Sequence, residues 1–317
     1  MGAILVMYHY VRDPEPEHPG IAAITMADFE GQVEHLLRHY EPLEPDALIA
    51  AVRDGTPIPD GFVLTFDDGV RDHYDNAAPL LEQHGIHGIF APIGLPYLHG
   101  RIPFVQKNQF VRGRLGEDEV ADAYIAAAEE VAPEADVPGI VASAPIGDYR
   151  RGSEKYLRFK YASNRLIPRG VSEGIMDRLF AEHVSPDEGA FIEELYMSTG
   201  EIRELRARGH AIAGHSISHP SLPQLDEDEQ EREIGEAAAW LGGLLGEPLQ
   251  WWNYPYGDHD ERSERICERL GLQIAYSTRP PADWVSAVDR FRAPRVDTCF
   301  LPVTSDAEPA VLAGQIV

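Results

Sequence analysis

The stretch "FVLTFDDGVRDHY", residues 62 to 74, sets two carboxylates side by side, Asp67 and Asp68, behind an apolar run and ahead of a glycine. Two adjacent negative charges at the end of a buried strand repel one another and lose their water, so something has to offset at least one of them. A second stretch, "GHSISHPS" at 214 to 221, carries His215 and His219 four residues apart. That spacing brings two imidazoles to one side of a turn, where they can share a cation. An isolated H-x-x-x-H pair is weak evidence and is more often structural. Here it directly follows the strand-like "HAIAG", and the aspartate pair ends another strand. Functional groups in parallel α/β folds collect at the carboxyl ends of strands, so the two pairs are expected at one site. A divalent metal held by one aspartate and two histidines offsets one carboxylate and leaves the other as a base for water activated there. Because neighbouring strand residues point to opposite faces, the turn at Gly69 has to bring both carboxylates to one pocket.

The elements that position these groups follow a βα rhythm, the pattern of a mainly parallel sheet. "AILVMYHYV" reads as a buried strand, and "MADFEGQVEHLLRHY" then spaces Phe29, Val33, Leu36 and Leu37 as one face of a helix. Strand "GFVLTFDD", a helix over "NAAPLLEQHG" stopped at Gly85, and strand "IHGIFAPIG" continue it. The rhythm returns with a helix over "TGEIRELRARG", strand "HAIAGHS", helix "EQEREIGEAAAWLGGLLG", strand "LQWWNYPYG", helix "ERSERICERLG" and strand "LQIAYST". The expectation is a closed or nearly closed α/β barrel formed by 1–95 and 199–317. Residues 96–198 are expected to be an insertion or cap contributing to substrate binding or oligomer contacts.

That insertion holds the one basic stretch, "YRRGSEKYLRFKYASNRLIPRG", with Arg158, Lys160 and Arg165 at its centre. It is either a solvated helix face or a contact for a phosphate or carboxylate on the substrate. Elsewhere acid dominates: 53 Asp and Glu against 27 Lys and Arg give a formal net charge of -26. Such a surface repels nucleic acid and anionic lipid, so partners of those kinds are excluded, and the charge itself favours solubility or a salty environment. No window approaches the roughly 20 apolar residues of a membrane span, and the start of the chain lacks a basic, apolar leader. Cys267 and Cys299 form no metal or redox pattern. The expected location is the cytoplasm, with both thiols free.

"TFDDG" at 65–69, "HSISH" at 215–219 and "YPYG" at 254–257, in that order, resemble the signature motifs of the polysaccharide deacetylase family, the NodB-homology domain of carbohydrate esterase family 4. The resemblance covers most of the chain outside the insertion. It implies a deformed (β/α)7-type TIM-like barrel that hydrolyses N-acetyl, sometimes O-acetyl, groups on sugars with a bound divalent metal, most often Zn2+. By position, Asp67 matches the general base, and Asp68, His215 and His219 match the metal ligands. Pro255 and Tyr256 match the segment that shapes the groove, where the Tyr256 backbone N–H helps hold the oxyanion. Trp284 looks like the tryptophan that walls the acetyl-methyl pocket, with Trp251 and Trp252 as competitors more simply read as core.

Two positions depart from the family pattern. Asn253 stands where an arginine usually orients the base, and Arg295, closing a late strand in "FRAPRVD", is the replacement candidate against a surface-arginine reading. No histidine follows His259, so the family's terminal acid is missing. A closed barrel sets its first strand beside its last, and His9 at the end of the first strand can supply an acid there. This resembles the branch of the family that deacetylates poly-N-acetylglucosamine, with an early "YH" histidine.

The leading expectation is therefore a metal-dependent N-deacetylase acting on a small N-acetylated sugar, a sugar nucleotide or a glycan or antibiotic precursor. An O-deacetylase, a cyclic-imide or formamide hydrolase, and a catalytically silent carbohydrate-binding protein are the alternatives, and a homo-oligomer is compatible with each.

Overall fold

Inward and outward faces alternate along every strand, and that alternation places the site. The computed structural model describes residues 2–16, 18, 20–147, 152–278 and 290–304. Seven strands form a single parallel sheet: β1 (Ala3–Tyr8), β2 (Gly61–Asp68), β3 (Ile89–Pro92), β4 (Ala211–Gly214), β5 (Trp251–Asn253), β6 (Ile274–Tyr276) and β7 (Arg295–Asp297), in the spatial order β6-β5-β4-β3-β2-β1-β7. The ends of this row approach one another. Ala275 N–H donates to Arg290 O (2.8 Å), Ser277 N–H to Ala293 O (2.8 Å) and Ala293 N–H to Ala275 O (3.0 Å), so the segment leading into β7 pairs with β6. The sheet is thus a nearly closed barrel of seven strands, as the βα rhythm predicts.

One set of strand residues fills the barrel: Ala3, Leu5, Val63, Ile89, Ala91, Ala211, Ala213, Trp251, Ile274 and Tyr276. The alternate set, including Ile4, Val6, Tyr8, Phe62, Leu64, Phe66, Phe90, Ile212 and Trp252, packs outward against the helices. Both competitors for the acetyl-pocket tryptophan are therefore core side chains, Trp251 inward and Trp252 outward. Strands buried on both faces read as continuous apolar runs. By the same parity Thr65 and Asp67 lie on the inward side of β2, Asn253 on that of β5 and Arg295 on that of β7.

The described chain divides into two compact units, one of Met1–Asp13, Ala23–Leu98 and Glu193–Val317, the other of Pro14–Ala22 and His99–Ile192. The first is the barrel with its helices. The second is helical, with helices Phe104–Leu115, Glu117–Val131, Val137–Ser143, Glu154–Arg165 and Arg169–His183. Its interior gathers Phe110, Val120, Tyr124, Phe159, Ile175 and Phe180, and the Tyr124 hydroxyl is satisfied by Ser172 Oγ at 2.7 Å. Lys107 is buried there against Asp177 and Glu188, the latter at 2.8 Å, because a buried ammonium needs acidic partners. No helix among the described residues is long and apolar enough to cross a membrane.

Candidate active site

Three of the strands that carry chemical groups end in backbone no ordinary strand would adopt. Asp68 (φ 78°), Ser216 (60°), His219 (59°) and Tyr256 (57°) are the non-glycine residues with positive φ among the described residues, and all lie at the last residue of β2 or just past β4 or β5. Left-handed backbone costs a non-glycine residue free energy, and its concentration at one end of a barrel marks a site where side-chain direction is imposed. At Asp68 the effect is direct. Regular pleating would turn it away from Asp67, and the left-handed turn swings it back toward the same pocket. Gly69 continues the turn at φ 78° under Pro92, where an added Cβ would lie 2.6 Å from Pro92 Cβ.

Asp67 is buried and held from below. Arg295 Nη1 donates to its Oδ1 (2.7 Å) and Nη2 to its Oδ2 (2.8 Å), a bidentate pair. The same guanidinium donates to Thr65 Oγ1 (3.0 Å) and Asn253 Oδ1 (3.0 Å) and lies 4.7 Å from the Tyr276 ring centroid. Burial alone would raise the Asp67 pKa. The charge and hydrogen bonds of Arg295, helped by His215 and His9, outweigh burial and hold the carboxyl well below the usual range. Asn253 therefore takes part in the orientation it was expected to have lost: it anchors an arginine that arrives from β7.

Beside it, ligand atoms of Asp68, His215 and His219 lie within 4.8 Å of one another, all buried. His215 Nδ1 is 3.0 Å from the carbonyl oxygen of Asn253, which can only accept, so the proton sits on Nδ1 and the Nε2 lone pair faces inward. That lone pair is 3.4 Å from Asp68 Oδ1, and His219 Nε2 is 3.8 Å from the same oxygen. Asp68 Oδ1 is buried without a hydrogen-bond partner. Burial brings the His219 pKa down to about 3. Two imidazoles and one carboxylate gathered this closely are the donor set of a divalent transition metal, and the residues fit such an ion.

The loop bearing the two histidines is braced. Glu233, on helix Glu227–Leu245, accepts from the backbone N–H of Ile217 and Ser218, both at 2.9 Å, and from the Ser218 hydroxyl. Ser216 Oγ accepts from His219 N–H at 2.9 Å. Tyr256 sets its ring 4.6 Å from that of His219, and its carbonyl accepts from Thr278 Oγ1 at 2.9 Å. Pro255 is buried next to it. His9 closes the pocket from β1: its Nε2 is 3.8 Å from Asp67 Oδ2, and its side chain is 38% exposed against 3% for Asp67.

A polysaccharide deacetylase model matches residues 181–275, which contain His215, His219 and the "NYPYG" segment. Over that stretch the chain is similar to the polysaccharide deacetylase family. Among curated relatives, a chitooligosaccharide deacetylase from Azorhizobium caulinodans is 26% identical over 108 residues, 34% of this chain and 48% of that protein. A peptidoglycan-N-acetylglucosamine deacetylase from Bacillus cereus is 24% identical over 110 residues, 35% of this chain and 40% of that protein. The match therefore spans less than half the length of each. Among solved structures, the deacetylase PplD of Streptococcus pyogenes, in complex with acetate, superposes with a TM-score of 0.59 at 16% identity, covering 100% of this chain and 99% of that one. IcaB from Ammonifex degensii gives 0.54 at 16%, covering 100% and 97%. At such identities the likeness is one of fold.

The barrel thus gathers Asp67, Asp68, His215, His219, Asn253, Pro255, Tyr256, Arg295 and His9 at one end. Arg158, Lys160 and Arg165 lie instead on helix Glu154–Arg165 of the second unit. Arg158 there pairs with Glu154 (2.9 Å), Lys155 with Asp122 (2.5 Å) and Arg169 with Glu173 (2.7 Å). Burial, then the Arg112 charge, lowers the Lys160 pKa to about 8. Trp284 lies outside the described residues. Thr65 and Glu233 are contributors the sequence reading missed. Thr65 carried a signal, a polar residue two before Asp67 on the inward face of an apolar strand; Glu233 carried none.

Proposed function

We propose that the protein is a metal-dependent hydrolase that removes acetyl from an N-acetylated amino sugar, releasing acetate and a free amine. One observation carries the reading: an Arg295-held, ionised Asp67 shares a pocket with a lone-pair cluster of Asp68, His215 and His219, with His9 across from it. A divalent cation held by those three residues, Zn2+ being the first choice for two imidazoles and a carboxylate, supplies Lewis-acid polarisation of the acyl carbonyl and an acidified water when bound. Asp67 then takes the proton of the attacking water as the new C–O bond forms. The Tyr256 backbone N–H is the oxyanion donor of this reading. His9 delivers a proton to the departing nitrogen as the C–N bond breaks. Its exposure suits it to meet a substrate that Asp67, deeper in the barrel, meets only through water.

Relatives named for chitooligosaccharide and peptidoglycan substrates support the amino-sugar class. Substrate size is read as small and the location as cytoplasmic, which favours a sugar nucleotide or glycan precursor over assembled polysaccharide. The test is acetate release from N-acetylamino sugars, sugar nucleotides and chitin oligomers, with Zn-loaded protein, metal-stripped protein and Asp67→Asn. Turnover that needs metal and vanishes in the variant supports the reading. Formate release from formamides, or ring opening of cyclic imides to half-amides, would replace it, acetate from O-acetyl esters alone would change the bond, and metal binding without any turnover would leave a silent carbohydrate binder.

A further inference from the structure

The segment that carries His9 is not held by strand pairing alone. β1 ends at Tyr8, and the next four residues are gripped by the turn that follows the aspartate pair. His73 Nε2 lies 2.8 Å from the backbone carbonyl of His9. A carbonyl only accepts, so Nε2 carries the hydrogen and donates it. Asp72 Oδ2 accepts from Val11 N–H (3.1 Å) and from Arg12 Nε (2.7 Å), and its Oδ1 accepts from Arg12 Nη2. Asn76 Nδ2 donates to Val11 O at 2.8 Å. Three side chains of one turn thus fix three backbone groups of His9 and Val11 and the Arg12 guanidinium.

The turn itself is unusual: residues His73–Ala77 form a π-helical turn, closed by Ala78 N–H donating to His73 O. Such turns insert an extra residue into helical backbone and recur at functional sites, because they redirect neighbouring side chains. Here Asp72, His73 and Asn76 all reach residues 9 to 12. His73 is fully buried, with its ring 5.5 Å from Phe66 and 5.9 Å from Phe90, so its Nε2 has little water to turn to when the partly buried bond to His9 is lost. Burial also keeps the ring neutral, with its single proton committed to the His9 carbonyl.

We infer that His73, with Asp72 and Asn76 around it, is a positioning residue that fixes the His9 imidazole at its distance from Asp67. The two functional groups are thereby tied to one short segment: β2 carries the base as its last residue but one, and the turn that follows holds the backbone of the acid. A general acid works only when held within a fraction of an ångström of its target, so loosening this grip lowers turnover without touching metal or base. The inference rests on the proposed role of His9, and its test separates the two.

The variant is His73→Phe, which keeps an aromatic ring between Phe66 and Phe90 and removes only the hydrogen bond. In the Zn-loaded protein kcat is expected to fall roughly tenfold with KM within twofold, the size of one lost buried hydrogen bond. On a His9→Ala background the same change is expected to alter kcat by less than about twofold, because its effect runs through His9. Amide hydrogen exchange of the 8–13 segment is expected to quicken several-fold while that of 61–66 stays put. An equal kcat loss in both backgrounds, or unchanged exchange at 8–13, overturns the inference. If the wild type turns over no acetylated sugar, exchange alone decides the clamp, and only the deacetylase reading falls. Should His73→Phe fold poorly, Asn76→Ala removes the neighbouring grip from a half-buried position and is held to the same outcomes.

Discussion

The Asp67–Arg295 pair decides both stability and chemistry, and the two can be separated by substitution. Removing one partner of a buried, hydrogen-bonded ion pair leaves the other charge without compensation, which costs about 3–5 kcal/mol, whereas removing both costs far less. Arg295→Met is therefore expected to lower unfolding free energy by about that amount. Asp67→Asn with Arg295→Met is expected to regain most of it, and both variants are expected to be inactive. Urea unfolding of the two proteins checks this; equal losses in single and double variants would mean that Arg295 acts as packing rather than as a counter-charge. The site was largely legible at this scale because a doubled aspartate and an H-x-x-x-H pair at strand ends are rare in combination. What was not legible was who holds them. Asn253 looked like a loss until β7 brought Arg295 beside it, a contact between residues 228 positions apart in the case of Asp67. The Glu233 brace is likewise a long-range helix-to-loop contact that no local spacing announces.

At the scale of elements, apolar runs and glycine stops revealed the alternation of strands and helices, since strands buried on both faces have no polar positions to confuse the pattern. The second unit was harder to read. Residues 14–22 belong to it although they sit between the first strand and the first helix, because a short excursion carries no periodicity. The left-handed turn after β2 is the element on which the pocket depends, and Gly69→Ala tests it. An added methyl would sit 2.6 Å from Pro92 Cβ and 2.7 Å from Pro92 Cα, on backbone at φ 78°. A loss of about 2–4 kcal/mol is expected, with metal binding weakened because Asp68 moves with the turn; a variant as stable as the parent would sink the claim that the turn is strained. Lys160 gives a second test in the helical unit. Its pKa is lowered to about 8 in the folded state from an ordinary 10.5, so between these values the unfolded chain holds a proton that the folded one has released. Stability from this group therefore rises with pH across that window. Lys160→Met is expected to be the more stable protein at pH 7, by about 1 kcal/mol once solvent screening is allowed for, and to lose that advantage by pH 10.5. Denaturation curves at the two pH values check it, and an advantage unchanged with pH would refute it.

Across the whole molecule the surplus of acid is the dominant physical fact. With 53 carboxylates and 27 Lys and Arg, cations such as Arg101, Arg262 and Arg292 find acidic partners, but a net charge of -26 remains to repel itself. Two effects of salt oppose each other. Screening weakens the surface ion pairs, each worth little, and also weakens the long-range repulsion among the unpaired carboxylates, which adds over many pairs. The second is expected to win. Raising NaCl from 10 mM to 300 mM shortens the Debye length from about 30 Å to less than 8 Å, and the melting temperature should climb over that range and then flatten. Flattening matters, because stabilisation by salt exclusion from the surface continues to grow at molar concentrations, whereas screening saturates. A melting temperature that falls with the first additions of salt would mean that the ion pairs outweigh the repulsion, and one that rises only above 1 M would assign the effect to exclusion instead. The outcome bears on substrate choice as well, because an acidic substrate would approach this surface more readily as salt rises, and KM for a sugar nucleotide is expected to drop over the same range while KM for a neutral amino sugar holds steady.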